Sequence, residues 1–200
     1  MIKKFIINSA MKTIRNYYPD YDNEQLEKIQ YGLEAIYLST TKFVVILVIS
    51  FVFGFFKEAL LVFLFFNILR TTGFGLHASK SWICWITSLP TFIGIPLICK
   101  YELIPNYALI IVALLSLICF MFFAPADTHK RPLIRKNKRI IYKVITILIG
   151  LIYTLLTIFT NSIFWKSVFA LTMLIEAILV CPLTYILFKL PYNNYKSCKN

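Results

Sequence analysis

Charged residues, and acidic residues above all, are scarce in this chain of 200 residues. Asp and Glu together number nine, and all charged residues make up 15% of the sequence, against 59% hydrophobic residues. A soluble domain carries about 25% charged residues. The composition therefore excludes a soluble globular protein and predicts an integral membrane protein.

Motifs for metal binding and for several kinds of hydrolysis are also missing. The sequence contains no HExxH and no GxSxG motif, so an intramembrane hydrolase of those chemistries has little support. None of the five cysteines is in a CxxC pair, which argues against both a disulfide framework and a zinc site. They are Cys84, Cys99, Cys119, Cys181 and Cys198. We expect no metal and no other cofactor.

A cleavable signal peptide is not evident at the N-terminus. The first apolar run, Phe5 to Ala10, is short and is followed by Lys12 and Arg15 instead of a small-residue cleavage site. We expect the mature chain to keep its N-terminus.

Six apolar runs predict an all-α membrane fold with about six transmembrane or partly re-entrant helices, since a helix needs roughly 20 apolar residues to cross a bilayer. The runs are Thr40 to Phe56, Ala59 to Leu76, Trp82 to Cys99, Leu103 to Phe123, Ile140 to Thr160 and Phe164 to Leu187. Ala59 to Leu69 is too short alone, so the second run is either a full span or a re-entrant segment. We expect Pro90 and Pro96 to kink the third run.

The chain is predicted to form a single membrane domain with three parts. Residues 1–38 form an interfacial amphipathic segment, which Pro19 and Asp22 interrupt before a second helix. Residues 40–188 form the helical bundle, and residues 189–200 a cytoplasmic tail. The N-terminal segment either docks substrate or is a surface helix without that role.

The distribution of positive charge predicts the orientation. With a cytoplasmic N-terminus and six spans, only Lys57, Lys100 and Lys166 of the 21 Lys and Arg residues fall outside the cytoplasm. Both termini and the polar stretches at residues 70–84 and 124–139 then share the cytoplasmic face. This explains the net charge of +12 through loops that meet anionic lipid, and we expect no nucleic-acid partner.

The first polar stretch, RTTGFGLHASKSWIC, contains a candidate catalytic pair. Cys84 could act as a nucleophile and His77 as its base. In a straight helix their spacing of seven leaves about 10 Å between them, so the backbone must turn. Gly73 and Gly75 permit that turn. With Ser81 as the cap of the next helix, which Ser79 could also provide, Cys84 would lie where helix amides lower a thiol pKa.

Each of these residues also has a simpler interpretation. Cys84 could be a buried apolar residue and His77 an interfacial histidine. Arg70 either extends to the lipid headgroups or grips a peptide carboxylate and orients the site. Asp127, in the second polar stretch, either orients His77 or caps a turn beside Pro125.

The remaining polar candidates are less specific. His129 is a rival base for Cys84, and Lys130 and Arg131 belong to a basic run that would attract an acidic substrate tail. Glu176 lies within the last run and must be paired, protonated or facing a wet cavity. An alternative function is a small transporter for a peptide or anionic solute, with Arg70 and Glu176 in its pathway.

Several of these features together resemble the accessory gene regulator protein B (AgrB) family. They are Arg70, the turn with Gly75, His77 and Cys84 at a spacing of seven, Pro125 to Asp127, and Pro132. Length, amphipathic N-terminus, number of apolar runs and basic loop also agree, so the similarity covers the whole chain. One departure is Phe74, where we expect a second glycine beside Gly75.

The resemblance implies a membrane-embedded cysteine endopeptidase that acts as a homodimer on a quorum-sensing propeptide of the AgrD type. Cys84 would be the nucleophile and His77 the base, with Arg70 and Gly75 supporting the site. The enzyme would remove an acidic C-terminal tail through an acyl-enzyme thioester. A thiol or hydroxyl of the same substrate would then close a thiolactone or lactone ring.

Overall fold

The computed structural model describes residues 2–76, 85, 88–127, 133–192 and 194. This part of the chain is helical, with no β-strand beyond one isolated bridge, which confirms the predicted all-α fold. The helices are α1 (Ile2–Tyr17), α2 (Asn23–Val52), α3 (Phe56–Gly73), a π-helical segment (Pro90–Gly94) continuing into α4 (Ile95–Lys100), α5 (Asn106–Phe123), α6 (Lys136–Phe159), α7 (Ile163–Val180) and α8 (Pro182–Leu187).

Within the described residues, four helices are long and apolar enough to cross a bilayer: α2, α5, α6 and α7. The chain is therefore a multi-pass membrane protein. Most of the second predicted run lies in one helix, α3, of 18 residues, or about 27 Å, and residues 74–76 of the run follow that helix as a turn. This helix also carries Lys57, Glu58 and Arg70. The third run is a shorter apolar helix in its described part, Pro90–Lys100.

Proline accounts for two differences between the runs and the helices. The last run is two helices, because Pro182 cannot donate a backbone hydrogen bond and disfavours a helical conformation at the residue before it. Cys181 is accordingly extended, with φ −63° and ψ 132°, and α7 ends at Val180. Pro105, also extended, similarly precedes the start of α5 at Asn106.

The chain divides into two compact units, Met1–Ile49 and Ser50–Asn200. In the first unit α1 packs on the beginning of α2 through the buried side chains of Ile7, Met11 and Leu26. Asp22 and Gln25 cap α2 reciprocally, since each side chain accepts a hydrogen bond from the other residue's backbone amide. The break between the helices lies where Pro19 predicted it.

The second unit is a bundle in which α7 is the most enclosed helix. Val168, Ala170, Met173 and Val180 are fully buried there, and α7 contacts α3, α4, α5 and α6. α3, α5 and α7 end, and α6 begins, at the same end of this bundle, which we call the site end. The division into interfacial segment, bundle and tail stays a prediction.

Candidate functional site

The candidate site begins where α3 ends, at segment 73–76. Phe74 follows the last helical residue and has φ 62° and ψ −89°, and Gly75 has φ 69°. Two successive residues with positive φ turn the backbone away from the helix axis. The turn that the glycines predicted is therefore present, and it precedes His77 directly in the sequence.

Backbone hydrogen bonds hold segment 73–76 on two sides. The amide of Gly75 donates to the carbonyl of Ala126 at 2.9 Å, and the amide of Ala126 donates to that of Gly73 at 3.1 Å. On the other side, the amide of Leu76 donates to the carbonyl of Leu179 in the last turn of α7, at 2.8 Å. The segment is thus fixed both to the loop that follows α5 and to the end of α7.

Arg70 contributes a third set of bonds to the same segment. Its Nη2 donates to the carbonyl of Leu76 at 2.5 Å and to that of Gly75 at 3.4 Å. Its Nη1 lies 3.6 Å from Oε2 of Glu176. The guanidinium therefore joins the carbonyls of the turn to a carboxylate on α7.

Glu176 is fully buried, and no described residue donates a hydrogen bond to either of its carboxylate oxygens. Of the three possibilities left by the sequence, the structure shows a paired carboxylate, with Arg70 as its partner. Such a pair is held by the attraction of opposite charges in a region of low dielectric constant.

Each glycine of the turn makes room for one member of this ion pair. A Cβ atom added to Gly73 would lie 2.5 Å from Oε1 of Glu176. One added to Gly75 would lie 2.5 Å from Nη1 of Arg70 and 2.9 Å from the carbonyl oxygen of Leu179. Glycine at both positions therefore permits the pair and the turn to pack against each other.

Phe74, where the resemblance led us to expect glycine, has a packing role of its own. Its ring contacts that of Tyr142 in α6 edge to face, with 5.0 Å between the ring centroids. An edge-to-face aromatic pair is favourable by about 0.5–1.5 kcal/mol beyond the area it buries. This contact compensates in part for the unfavourable positive φ of a residue with a side chain.

Asp127 is buried and connects three parts of the site end. Its carboxylate oxygens accept hydrogen bonds from the amide of Leu133 at 3.3 Å and from that of Asn194 at 2.9 Å. The hydroxyl of Tyr185 in α8 donates to the carbonyls of Ala126 and Asp127, at 3.3 and 3.2 Å. Burial raises the pKa of this phenol above its ordinary value.

Several predicted site residues lie outside the described part of the chain. These are His77, Ser81, Cys84, Lys130 and Arg131, together with the rival base His129. Their roles stay predictions. The structure does bring Arg70, Gly75 and Asp127 to the site end, although the sequence placed them in two separate polar stretches. Among the described residues, no group of three or more His, Cys, Asp or Glu is arranged to hold a metal ion.

Sequence reasoning missed two residues that the structure adds to this end of the bundle. Tyr185 and Asn194 hold the 126–127 backbone, yet neither belongs to a polar stretch with a recognisable motif. The only signal for Tyr185 is a hydroxyl near a helix end, just after Pro182. Gly73 was predicted for its flexibility, whereas the structure shows that it also leaves room for Glu176.

Comparison with known proteins identifies similar chains. The sequence profile of a family described as Accessory gene regulator B matches residues 7–180. An AgrB-like protein of Clostridium acetobutylicum is 29% identical, covering 86% of this chain and 82% of its own length. An AgrB-like protein of Listeria innocua is 34% identical, with 88% and 86% covered. Accessory gene regulator protein B of Staphylococcus aureus is 27% identical, with 82% and 87% covered. No solved structure matches significantly.

Proposed function

The chain belongs to the accessory gene regulator B family and so has a role in accessory gene regulator quorum sensing, and from this premise we propose that it is a cysteine endopeptidase. Its substrate is an AgrD-type propeptide. Cys84 is the nucleophile and His77 the general base. The enzyme removes the C-terminal tail of the propeptide and closes the remaining signal sequence into a ring.

The first half of the reaction forms an acyl-enzyme. The thiol of Cys84 gives its proton to the imidazole of His77, and the sulfur forms a bond to a substrate carbonyl carbon. The carbon–nitrogen bond of the tetrahedral intermediate then breaks, and His77 returns the proton to the leaving amine. The products are a free tail and a thioester on Cys84.

The second half exchanges one acyl bond for another. A thiol or hydroxyl within the bound substrate attacks the thioester carbonyl, and His77 carries the proton back to the departing sulfur of Cys84. Exchange between two thioesters is nearly neutral in energy, so water must be kept out for ring closure to compete with hydrolysis. A site at a membrane edge suits this requirement.

The observation that supports the proposal most is the number of bonds on segment 73–76. A general base must be held within hydrogen-bond reach of the group it deprotonates, so its backbone needs a fixed starting point. The residues directly before His77 are bonded to Ala126, to Leu179 and to Arg70. These three sets of bonds give the chain a fixed position immediately before the proposed base.

The supporting residues fit this scheme in different ways. Nη2 of Arg70 donates hydrogen bonds to the turn and Nη1 is ion-paired with Glu176, which favours orientation of the site over gripping a substrate carboxylate. Asp127 accepts bonds from the backbone of Leu133 and Asn194, so we propose loop support as its main role and leave its orientation of His77 as a prediction. Ser81 would cap the helix of Cys84.

Orientation and partners complete the proposal. We place both termini and the site end on the cytoplasmic side of the cell membrane, where Lys130, Arg131 and their basic neighbours meet anionic lipid and the acidic tail of the substrate. The active species would be a homodimer. These statements rest on charge distribution and on the resemblance to the family.

The test is to reconstitute the protein in liposomes and add candidate propeptides from the same genome. Mass spectrometry then measures release of the tail and acylation of Cys84 in the wild type, Cys84→Ala and His77→Ala. We expect both variants to lose tail release, with the acyl adduct found on Cys84 in the wild type. Cys119→Ala serves as the matched control and should keep activity.

Normal cleavage by Cys84→Ala would contradict the peptidase proposal. Solute transport would then become the leading alternative, and uptake or efflux measured in the same liposomes would examine it.

A further inference from the structure

We propose that Glu176 is a positioning residue, which holds Arg70 so that Arg70 fixes the backbone immediately before the catalytic base. This inference rests on the proposed function, because it assigns Glu176 a part in the peptidase reaction. Glu176 lies on α7, far along the sequence from the polar stretch with His77 and Cys84. The resemblance gives it no role, and the sequence suggested one only for the alternative transporter function.

The burial of Glu176 is the first step of the argument. Its side chain is fully buried and receives no hydrogen bond from the described residues, and its ion pair with Arg70 is the compensation for its charge that they provide. A buried carboxylate without compensation is strongly unfavourable. An apolar side chain would fill the same space without the free-energy cost of burying a charge. We therefore infer that the charge of Glu176 has a function.

The second step is the direction of the Arg70 donors. Nη2 bonds the carbonyls of Gly75 and Leu76, whereas Nη1 faces Glu176 at 3.6 Å. The side chain of Arg70 is 19% exposed, so an outward position of the guanidinium is also open to it. The charge of Glu176 therefore favours the inward position of the guanidinium, in which the two carbonyls are bonded.

The third step argues against a competing role for the same arginine. If Arg70 bound a carboxylate of the substrate, that group would approach the buried charge of Glu176 and be repelled by it. Nη1 of Arg70 lies 3.6 Å from Oε2 of Glu176, and Gly73 leaves the space that this carboxylate occupies. The pair therefore affects the reaction by fixing the backbone before His77, without contact with the substrate.

The fourth step is that α7 holds segment 73–76 at two points. Leu179, three residues after Glu176, accepts the hydrogen bond of the Leu76 amide at 2.8 Å. Glu176 acts on the Leu76 carbonyl through Arg70. The amide and the carbonyl of Leu76 are therefore both held by α7, the amide directly and the carbonyl through Arg70. His77 is the next residue in the chain.

The first experiment measures tail release by reconstituted Glu176→Gln under single-turnover conditions across a range of propeptide concentrations. The substitution keeps the shape of the side chain and removes its charge. We expect the maximal rate to fall about 10²-fold, with the half-saturating propeptide concentration changed about 2-fold or less. Glu176→Asp, which keeps the charge, should recover part of the rate. Ser167→Ala, another buried polar change on α7, is the matched control and should stay near the wild type.

A double-variant cycle tests whether Glu176 acts through Arg70. In the Arg70→Gln background, Glu176→Gln should change the maximal rate only about 2-fold or less, because the group it positions is already gone. The neutral double variant also keeps the test decisive if Glu176→Gln alone does not fold, since neutral replacement of a buried pair is often tolerated. A double variant at the wild-type rate would overturn the proposal.

Hydrogen exchange gives a readout that needs no peptidase activity. The amides of Gly75 and Leu76 should exchange about tenfold faster in Glu176→Gln than in the wild type, and those of Ser167→Ala should not. Unchanged exchange, or an unchanged maximal rate, would overturn the positioning role. If Cys84→Ala still released the tail, the peptidase proposal would fail, while the exchange rates would still decide whether Glu176 holds the turn.

Discussion

The N-terminal unit and the bundle each contain an ion pair between two helices, and the two pairs differ in distance and in burial. Lys3 and Glu34 approach to 2.6 Å, but both side chains keep more than a third of their exposure. Arg70 and Glu176 lie 3.6 Å apart, with exposures of 19% and 0%. Water screens the charges of Lys3 and Glu34 and competes for their hydrogen bonds. Glu176 is buried, so water does not replace Arg70 as its partner in the same way. Burial, more than distance, therefore decides which pair the fold depends on.

Breaking the buried pair should have the largest effect. Glu176→Ala leaves the guanidinium of Arg70 partly buried without its partner and opens a cavity beside Gly73. We expect the free energy of unfolding to fall by about 3–5 kcal/mol. Denaturant titration of the purified protein in detergent micelles measures this change. A loss below about 1 kcal/mol would show that water or another group compensates Arg70, and the pair would then resemble the exposed one.

The glycine next to the buried pair offers the second way to test the comparison. Gly75→Ala places a methyl group 2.5 Å from Nη1 of Arg70 and retains a positive φ that alanine disfavours. We expect a loss of about 1–3 kcal/mol and faster exchange of the Leu76 amide.

Gly32 in α2 is the matched control for this substitution. It lies within the helix, and a Cβ atom there would meet nothing within 4 Å. Gly32→Ala should therefore stabilise the protein by about 0.5–1 kcal/mol through helix propensity. If both substitutions changed stability in the same direction, the tight packing around Gly75 would not be what limits that position.

The helices and the polar ends were predictable from the sequence, because apolar length and proline positions decide them locally. Pro19 and Asp22 marked the break between α1 and α2, and Arg70 and Glu176 were recognised as charges that need an explanation. The sequence did not indicate that they pair. α7 is apolar on most of its surface, so its periodicity does not reveal which side faces α3. Only the packing of the bundle brings Glu176 to the end of α3.

Segment 73–76 is a second case in which the sequence predicted only part of the structure. Glycine at 73 and 75 predicted a change of direction, and the structure has it. The conformation of Phe74 was not predictable, since a non-glycine residue at φ 62° is uncommon and its support comes from Tyr142 on another helix. The same holds for Asp127, whose partners Leu133 and Asn194 lie in segments with no shared pattern.

The exposed pair should show the smallest effect and completes the comparison. Lys3→Ala removes the 2.6 Å contact with Glu34 and leaves the apolar contacts of Ile7, Met11 and Leu26 in place. We expect a loss of about 0.2–1 kcal/mol, reduced further by added salt because exposed charges are screened. The same titration in low and high salt measures it. A loss as large as that of Glu176→Ala would mean that the membrane surface shields this pair from water, and distance would then matter as much as burial.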